Sequence, residues 1–125
     1  MILGPIWAIR VFVPDVAAVR SFYRDQLGLP EAFADETVLV YNTGTADLIV
    51  EEADPEDEEE GPMIGRFVGV SFTVVDIDAA YESLSARGVQ FEAAPEKQAW
   101  GGALAHVRDP AGNVLTLVEP PQSSG

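Results

Sequence analysis

The chain has 125 residues, enough for one domain with a real core and too few for two independent ones. Its formal net charge is −14, with only seven Lys and Arg, so it repels phosphate backbones and anionic lipid, and nucleic acid and membrane surfaces are not expected partners. It has no cysteine, which excludes disulfides, thiolate metal sites and cysteine nucleophiles. No apolar run reaches the ~18 residues of a membrane span. The start, Met1-Ile2-Leu3-Gly4-Pro5, lacks the basic residues and long apolar stretch of a secretory signal, and a cytoplasmic location is expected.

In chain order, Ile6 to Val13 is rich in β-branched and aromatic residues and reads as a strand that Pro14 stops. Asp15 is a helix N-cap residue, and Val16, Val19, Phe22, Tyr23 and Leu27 fall on one helical face. Gly28 ends that helix. Strands follow at Glu31–Ala34, Thr37–Asn42 and Ala46–Glu51. The stretch Glu51 to Glu60 then holds eight carboxylates, a density that favours a mobile, solvated loop. The pattern then begins again: a strand over Gly69–Val75, a helix capped by Asp78 with Ile77, Tyr81 and Leu84 on its apolar face, and Gly88 at its end. Three more strands read at Val89–Glu92, Gly102–Arg108 and Asn113–Val118, with Asp109-Pro110-Ala111-Gly112-Asn113 as a turn between the last two.

This is an internal repeat. Val13-Pro14-Asp15-Val16-Ala17-Ala18-Val19, closing at Leu27-Gly28-Leu29, parallels Val75-Asp76-Ile77-Asp78-Ala79-Ala80-Tyr81, closing at Arg87-Gly88-Val89. The expected fold is α+β: two tandem βαβββ units forming a curved mixed sheet around a cleft. Unit one spans about residues 5–52, an acidic linker about 53–65, unit two about 66–119, and a frayed tail 120–125. A cleft between paired units is the natural place for a ligand.

The residues Val13-Pro14-Asp15 with Ser21-Phe22-Tyr23-Arg24-Asp25-Gln26-Leu27-Gly28-Leu29, the run Phe72 to Asp78, and Trp100-Gly101-Gly102 with the Asp109–Asn113 turn resemble the vicinal oxygen chelate superfamily, the glyoxalase/bleomycin resistance/dioxygenase fold. The resemblance covers nearly the whole chain. It implies that enzymes of this kind hold a divalent metal with His, Gln and Glu side chains from four strands facing the cleft. The corresponding positions here are Ala8, Val50, Gly69 and Thr116, with Glu51 in place of Val50 if the register shifts by one. Ala8 and Gly69 have no donor, and a neutral hydroxyl is a poor ligand, so no metal and no other cofactor is expected. The resemblance also implies homodimerisation, and free sheet edges invite it.

With Ala8 facing the cleft, alternation places Arg10 and Phe12 there, together with Gly69, Ser71 and Thr73 in the fifth strand. Thr37, Leu39, Tyr41, Leu48, Val50, Val114, Thr116 and Val118 are assigned to the same lining. Arg10 offers a bidentate anion or carbonyl contact, or an ion pair with a neighbouring carboxylate. Trp100 at the rim offers a stacking surface or a lid; Trp7, by parity, points to packing or an interface. His106, the sole histidine, is a candidate general base or hydrogen-bond partner, with Arg10 and Tyr41 as the other candidate catalytic groups. The leading expectation is a metal-free protein that sequesters a small molecule, a cationic or aromatic compound such as an antibiotic. The alternatives are a glyoxalase-like or dioxygenase-like enzyme, metal-free or with a non-standard metal site, and an interaction protein that uses the acidic loop 51–60.

Overall fold

The computed structural model describes residues 1–122, so the last residues of the expected frayed tail, 123–125, lie outside the described residues. Unit one runs β1 (Ala8–Val13), α1 (Val16–Ser21), β2 (Glu31–Ala34), β3 (Val38–Tyr41) and β4 (Asp47–Glu52). Unit two runs β5 (Phe67–Thr73), α2 (Ile77–Ala86), β6 (Gln90–Phe91), β7 (Glu96–Lys97), β8 (Ala103–Arg108) and β9 (Val114–Glu119). The two units build two mixed sheets. The first has the order β1-β4-β3-β2, and the second β5-β9-β8-β6 with β7 also on β8. In each, the first and last strands of the unit pair in parallel, β1 with β4 and β5 with β9, while the remaining neighbours are antiparallel.

Local chemistry explains the helices. Asp15 caps α1 through its carboxylate, which accepts from Ala17 N at 3.0 Å. After Ser21 the helix widens into a π-turn, Phe22–Gln26, and Gly28 leaves it with φ +74°. The expected single helix is thus an α-turn followed by a π-turn, which seats Phe22 and Tyr23 side by side in the core. The cap of α2 is Asp76 rather than Asp78: its Oδ1 accepts from Asp78 N and Ala79 N. Two acidic residues two positions apart both satisfy the sequence rule, and the extended backbone of Asp76 decides between them.

Helix α1 lies on the first sheet and α2 on the second. The helix-facing sides of both sheets merge into one core that includes Val11, Val13, Leu39, Tyr41, Leu48 and Val50 from unit one and Val70, Ala105, Val107, Leu115 and Leu117 from unit two. Buried polar contacts join the units. Tyr23 donates its phenol to Asp109 Oδ2 at 2.6 Å, and Asn113 Nδ2 donates to Phe12 O at 2.9 Å and to Asp109 Oδ2 at 3.0 Å. Asn113 Oδ1 accepts from Gly65 N and Arg66 N. At the helix ends Gln26 Nε2 donates to Arg87 O, and Arg87 Nη1 to Gln26 O. A bridge between Phe12 and Ile64 ties the end of β1 to the approach to β5.

The acidic segment is organised by local turns. Asp54 accepts from Glu56 N, and Asp57 from Glu59 N and Glu60 N, before a short 3-10 turn at Gly61–Met63. Ala53 is buried, while residues 54–59 are exposed, as their mutual repulsion requires.

Candidate functional site: the two open sheet faces

One side of each sheet is covered by a helix, and the other is not. On the first sheet the open side carries Ala8, Arg10 and Phe12 of β1, Ile49 and Glu51 of β4, Val38 and Val40 of β3, and Phe33 of β2. Arg10 donates from Nε and Nη2 to the two carboxylate oxygens of Glu51, and its guanidinium carbon stands 5.2 Å from the centre of the Phe12 ring. The hydrogen bond that Arg10 donates to Glu51, and then the charge of that carboxylate, hold the guanidinium above its ordinary pKa. The result is an apolar floor with one charge-paired group on it. The pair is solvent-exposed, so Arg10→Ala is expected to leave the thermal midpoint nearly unchanged while freeing the Glu51 carboxylate. A large drop in the midpoint on thermal denaturation would contradict this.

On the second sheet the open side carries Phe67, Ser71 and Thr73 of β5, Val114, Thr116 and Val118 of β9, and Leu104, His106 and Arg108 of β8, with Arg108 paired to Glu92 at 2.8 Å. Thr116 is buried and its hydroxyl meets His106 Nδ1 at 3.0 Å. That contact orients the imidazole and leaves Nε2 as its other polar atom, and the Phe67 ring packs edge-on at 5.9 Å between centroids. Trp100 completes this face. A Cβ on Gly102 would stand 2.0 Å from the Trp100 ring, so the indole lies over a glycine that must stay small. Gly102 is in phase with Leu104 and His106, which puts the indole on the open side.

These placements revise part of the expected lining. Arg10 and Phe12 lie on the open side of the first sheet, and Ser71, Thr116, Trp100 and His106 on that of the second. Leu39, Tyr41, Leu48 and Val50 lie on neither: all are fully buried on the helix-covered side. In β4 the register pairs Phe12 with Glu51 and Val11 with Val50, so the open-side residue is Glu51. In β3 the pairing of Leu39 with Val50 fixes Leu39 inward and Val38 and Val40 outward. Counting alternation from a guessed strand start inverts both strands when the start is off by one. Phe33, Ile49 and Phe67, which the sequence did not single out, are brought to the open sides by the same pairings.

Tyr41 is therefore a core residue, stacked on Tyr23 with centroids 5.8 Å apart. Its hydroxyl is buried without a hydrogen-bond partner among the described residues, and burial pushes its pKa up to about 12. Tyr41→Phe is expected to be neutral or to stabilise by up to about 1–2 kcal/mol, because it removes an unpaired polar group and keeps the ring. Urea denaturation measures this, and a loss above about 1 kcal/mol would show that the hydroxyl has a partner.

The resemblance assigns the metal-ligand positions to Ala8, Val50, Gly69 and Thr116; the observed register puts Glu51 rather than Val50 on the open side. Glu51 is engaged by Arg10 and Thr116 by His106. Gly69 sits at φ +82° within the irregular stretch of the β5–β9 register, a conformation that an L side chain adopts only under strain. Among the described residues no three His, Cys, Asp or Glu side chains converge. This donor set does not fit a divalent ion. Gly69→His is expected to cost about 1–2 kcal/mol in urea denaturation and to leave metal content by elemental analysis unchanged.

No helix among the described residues is long and apolar enough to cross a membrane. Residues 6–117 match the family described as the Glyoxalase/Bleomycin resistance protein/Dioxygenase superfamily. The protein YraH of Bacillus subtilis (strain 168) is 33% identical over 123 residues, covering 87% of this chain and 93% of YraH. A superfamily member from Sphaerobacter thermophilus DSM 20745 is similar in structure, with a TM-score of 0.79, 29% identity, and 96% of this chain and 100% of that one covered. TnmS3, described as an antibiotic binding protein from Streptomyces sp. CB03234, superposes with a TM-score of 0.74 at 28% identity, covering 96% of this chain and 98% of TnmS3. A lactoylglutathione lyase from Agrobacterium tumefaciens shares the fold at 20% identity and a TM-score of 0.74, covering 95% of this chain and 96% of that one. With a matched span that reaches across both repeats, this chain belongs to the glyoxalase/bleomycin resistance protein/dioxygenase superfamily.

Proposed function

We propose that this protein is a metal-free small-molecule binding protein of the bleomycin resistance type, which sequesters a cationic, aromatic compound such as an antibiotic. The observation that carries this reading is the make-up of the open sides: aromatic and aliphatic floors with the ion pairs Arg10–Glu51 and Arg108–Glu92 and one histidine, in place of a converging ligand set among the described residues. The net charge of −14 favours a cation, and the likeness to TnmS3 supports the class. Arg10 and Glu51 orient polar groups of the ligand from one side. His106 Nε2 meets it from the other, with Phe12, Phe33, Phe67 and Trp100 as stacking surfaces.

Two open sheet faces are poor containers for a ligand while they stay uncovered. Phe33, Phe67 and Trp100 are each more than half exposed on them. In this reading two copies pair, so that the first sheet of one faces the second sheet of the other and each dimer encloses two equivalent sites.

The test is titration of the intact protein with cationic aromatic antibiotics, read by indole fluorescence and thermal shift. Binding stabilises the folded state by RT ln(1 + [L]/Kd) and so raises the melting temperature as ligand is added. His106→Ala is expected to weaken binding by roughly tenfold, the value of one polar contact to a charged ligand. Absence of any shift across the panel would remove the reading.

A further inference from the structure

Glu51 is a carboxylate on an apolar floor. It stands on β4, an interior strand of the first sheet, and its register neighbours are Phe12 on β1 and Val38 on β3. Ile49 is the preceding residue on the same side of β4, and all three neighbours are half-buried. A carboxylate in such a place is costly without a cation beside it. The chain supplies one from the end strand of the sheet. Arg10 of β1 reaches across and donates from Nε to one oxygen of Glu51 and from Nη2 to the other, the latter at 3.1 Å. Its guanidinium carbon lies 5.2 Å from the centre of the Phe12 ring. Among the described residues Arg10, Arg20, Arg24 and Arg108 form ion pairs, and only Arg10 also stands over an aromatic ring. The two partners are unequally covered: the Glu51 side chain is 26% exposed and that of Arg10 60%. The carboxylate is the fixed, sheltered member, and the arginine is a long outer cover on it.

A carboxylate that offers both oxygens beside an aromatic face is suited to a planar cation. The paired hydrogen bonds fix the plane of the group, and the ring stabilises its charge. We propose that Glu51 and Phe12 form a subsite for the amidinium or guanidinium group of an aromatic ligand, and that Arg10 is a tethered stand-in which that group displaces. This subsite rests on the reading of the protein as a binder of cationic aromatic compounds, and it names the group that is bound and the residue that sets the selectivity. Exchange of one planar cation for another keeps Glu51 paired, so no bare carboxylate is left on the apolar floor. A neutral or anionic compound offers Glu51 nothing in place of Arg10 and does not open the subsite. Selection by charge then costs affinity, because a tethered competitor is present at every site. Once displaced, Arg10 is free for a carbonyl or hydroxyl oxygen of the ligand at the rim.

The probe is 4′,6-diamidino-2-phenylindole, a planar aromatic bis-amidine whose emission rises away from water. It carries no oxygen for Arg10 to hold, so its titration reads competition alone. The intact protein is titrated in about 0.3 M salt, which screens distant charges. Arg10→Ala is expected to tighten binding roughly threefold to fivefold, the strength of an exposed bidentate pair. Glu51→Gln is expected to weaken it roughly tenfold, and in that background Arg10→Ala is expected to have no further effect. Lys97→Ala and Glu58→Gln make the same charge changes at exposed positions off the first sheet, and are expected to leave the affinity unchanged. The uncharged parent, 2-phenylindole, is expected to be indifferent to Arg10→Ala. Probe binding that Arg10→Ala fails to tighten, or that Lys97→Ala tightens equally, overturns the subsite. So does a failure of both the natural chain and Arg10→Ala to bind the probe. In each of these cases the antibiotic titration of the natural chain reports separately whether the broader binding reading stands. The Arg10→Ala comparison decides even where Glu51→Gln fails to fold, because the arginine lies outside the core.

Discussion

Asn113→Ala is expected to cost on the order of 3–4 kcal/mol and to lower the melting temperature by roughly 10 °C. Asn113 is fully buried, and its amide is fully used. Oδ1 accepts from Gly65 N and Arg66 N, and Nδ2 donates to Phe12 O and Asp109 Oδ2. Truncation leaves a part-buried backbone carbonyl in unit one, two part-buried amides at the entry to β5, and one buried carboxylate oxygen each short of a partner. Each orphaned group costs about 1–3 kcal/mol, less what water entering the space restores. Asn113→Asp keeps the shape but puts a carboxylate where the amide donated to Asp109 and Phe12 O, so it is expected to be at least as damaging at neutral pH. Chemical denaturation of the two variants decides this. A loss below about 1 kcal/mol for Asn113→Ala would mean that the units hold together without this link.

Stability is expected to fall steeply above pH 10, and two phenols carry the effect. Burial, and then the charge and hydrogen bond of Asp109, push Tyr23 well above the ordinary tyrosine pKa. Burial pushes Tyr41 up to about 12. In the unfolded chain both ionise near pH 10, so above that pH the unfolded state has released protons that the native state still holds. Both pKa values are raised in the folded state. Their contribution is therefore complete below pH 10 and is lost as pH climbs toward the folded values. Each phenol adds up to about 1.4 kcal/mol per pH unit to the slope in that window. Tyr41→Phe is expected to remove its share of the slope, and the Tyr23→Phe/Tyr41→Phe double variant to flatten it. Unfolding free energies between pH 9 and 11.5 measure this, and a slope that the double variant leaves unchanged would place the effect on other groups.

Most of the fold was legible in the sequence because its signals are local. Asp15, Gly28 and Pro14 act within one turn of their own backbone, and the apolar spacing of Val16, Val19, Phe22 and Tyr23 names the face that the sheet must cover. The repeat gave the unit structure for the same reason: each unit is a local pattern stated twice, and residues 6–117 carry the family match across both copies. The open-side positions in β1 and β5 were also readable, since Arg10, Ser71 and Thr73 alternate with strongly apolar neighbours.

The site was legible only in part, because facing in a sheet depends on strand register, and register is a long-range property. Leu39 and Val50 went inward, and Glu51 outward, through pairings between β1, β3 and β4 that no single strand encodes. The turn Asp109–Asn113 was recognisable as a turn, yet its role as the buried polar link to Tyr23 and Phe12 joins residues 86 and 101 positions apart. The sequence by itself determined the two strand–helix–strand units, the cap of α1 at Asp15, and the missing donors at Ala8, Gly69 and Thr116, because residue identity and short-range backbone chemistry suffice for these. Only the tertiary structure decided which faces stay open, and that Arg10 meets Glu51 and His106 meets Thr116, because those follow from how distant strands are brought into register and packed.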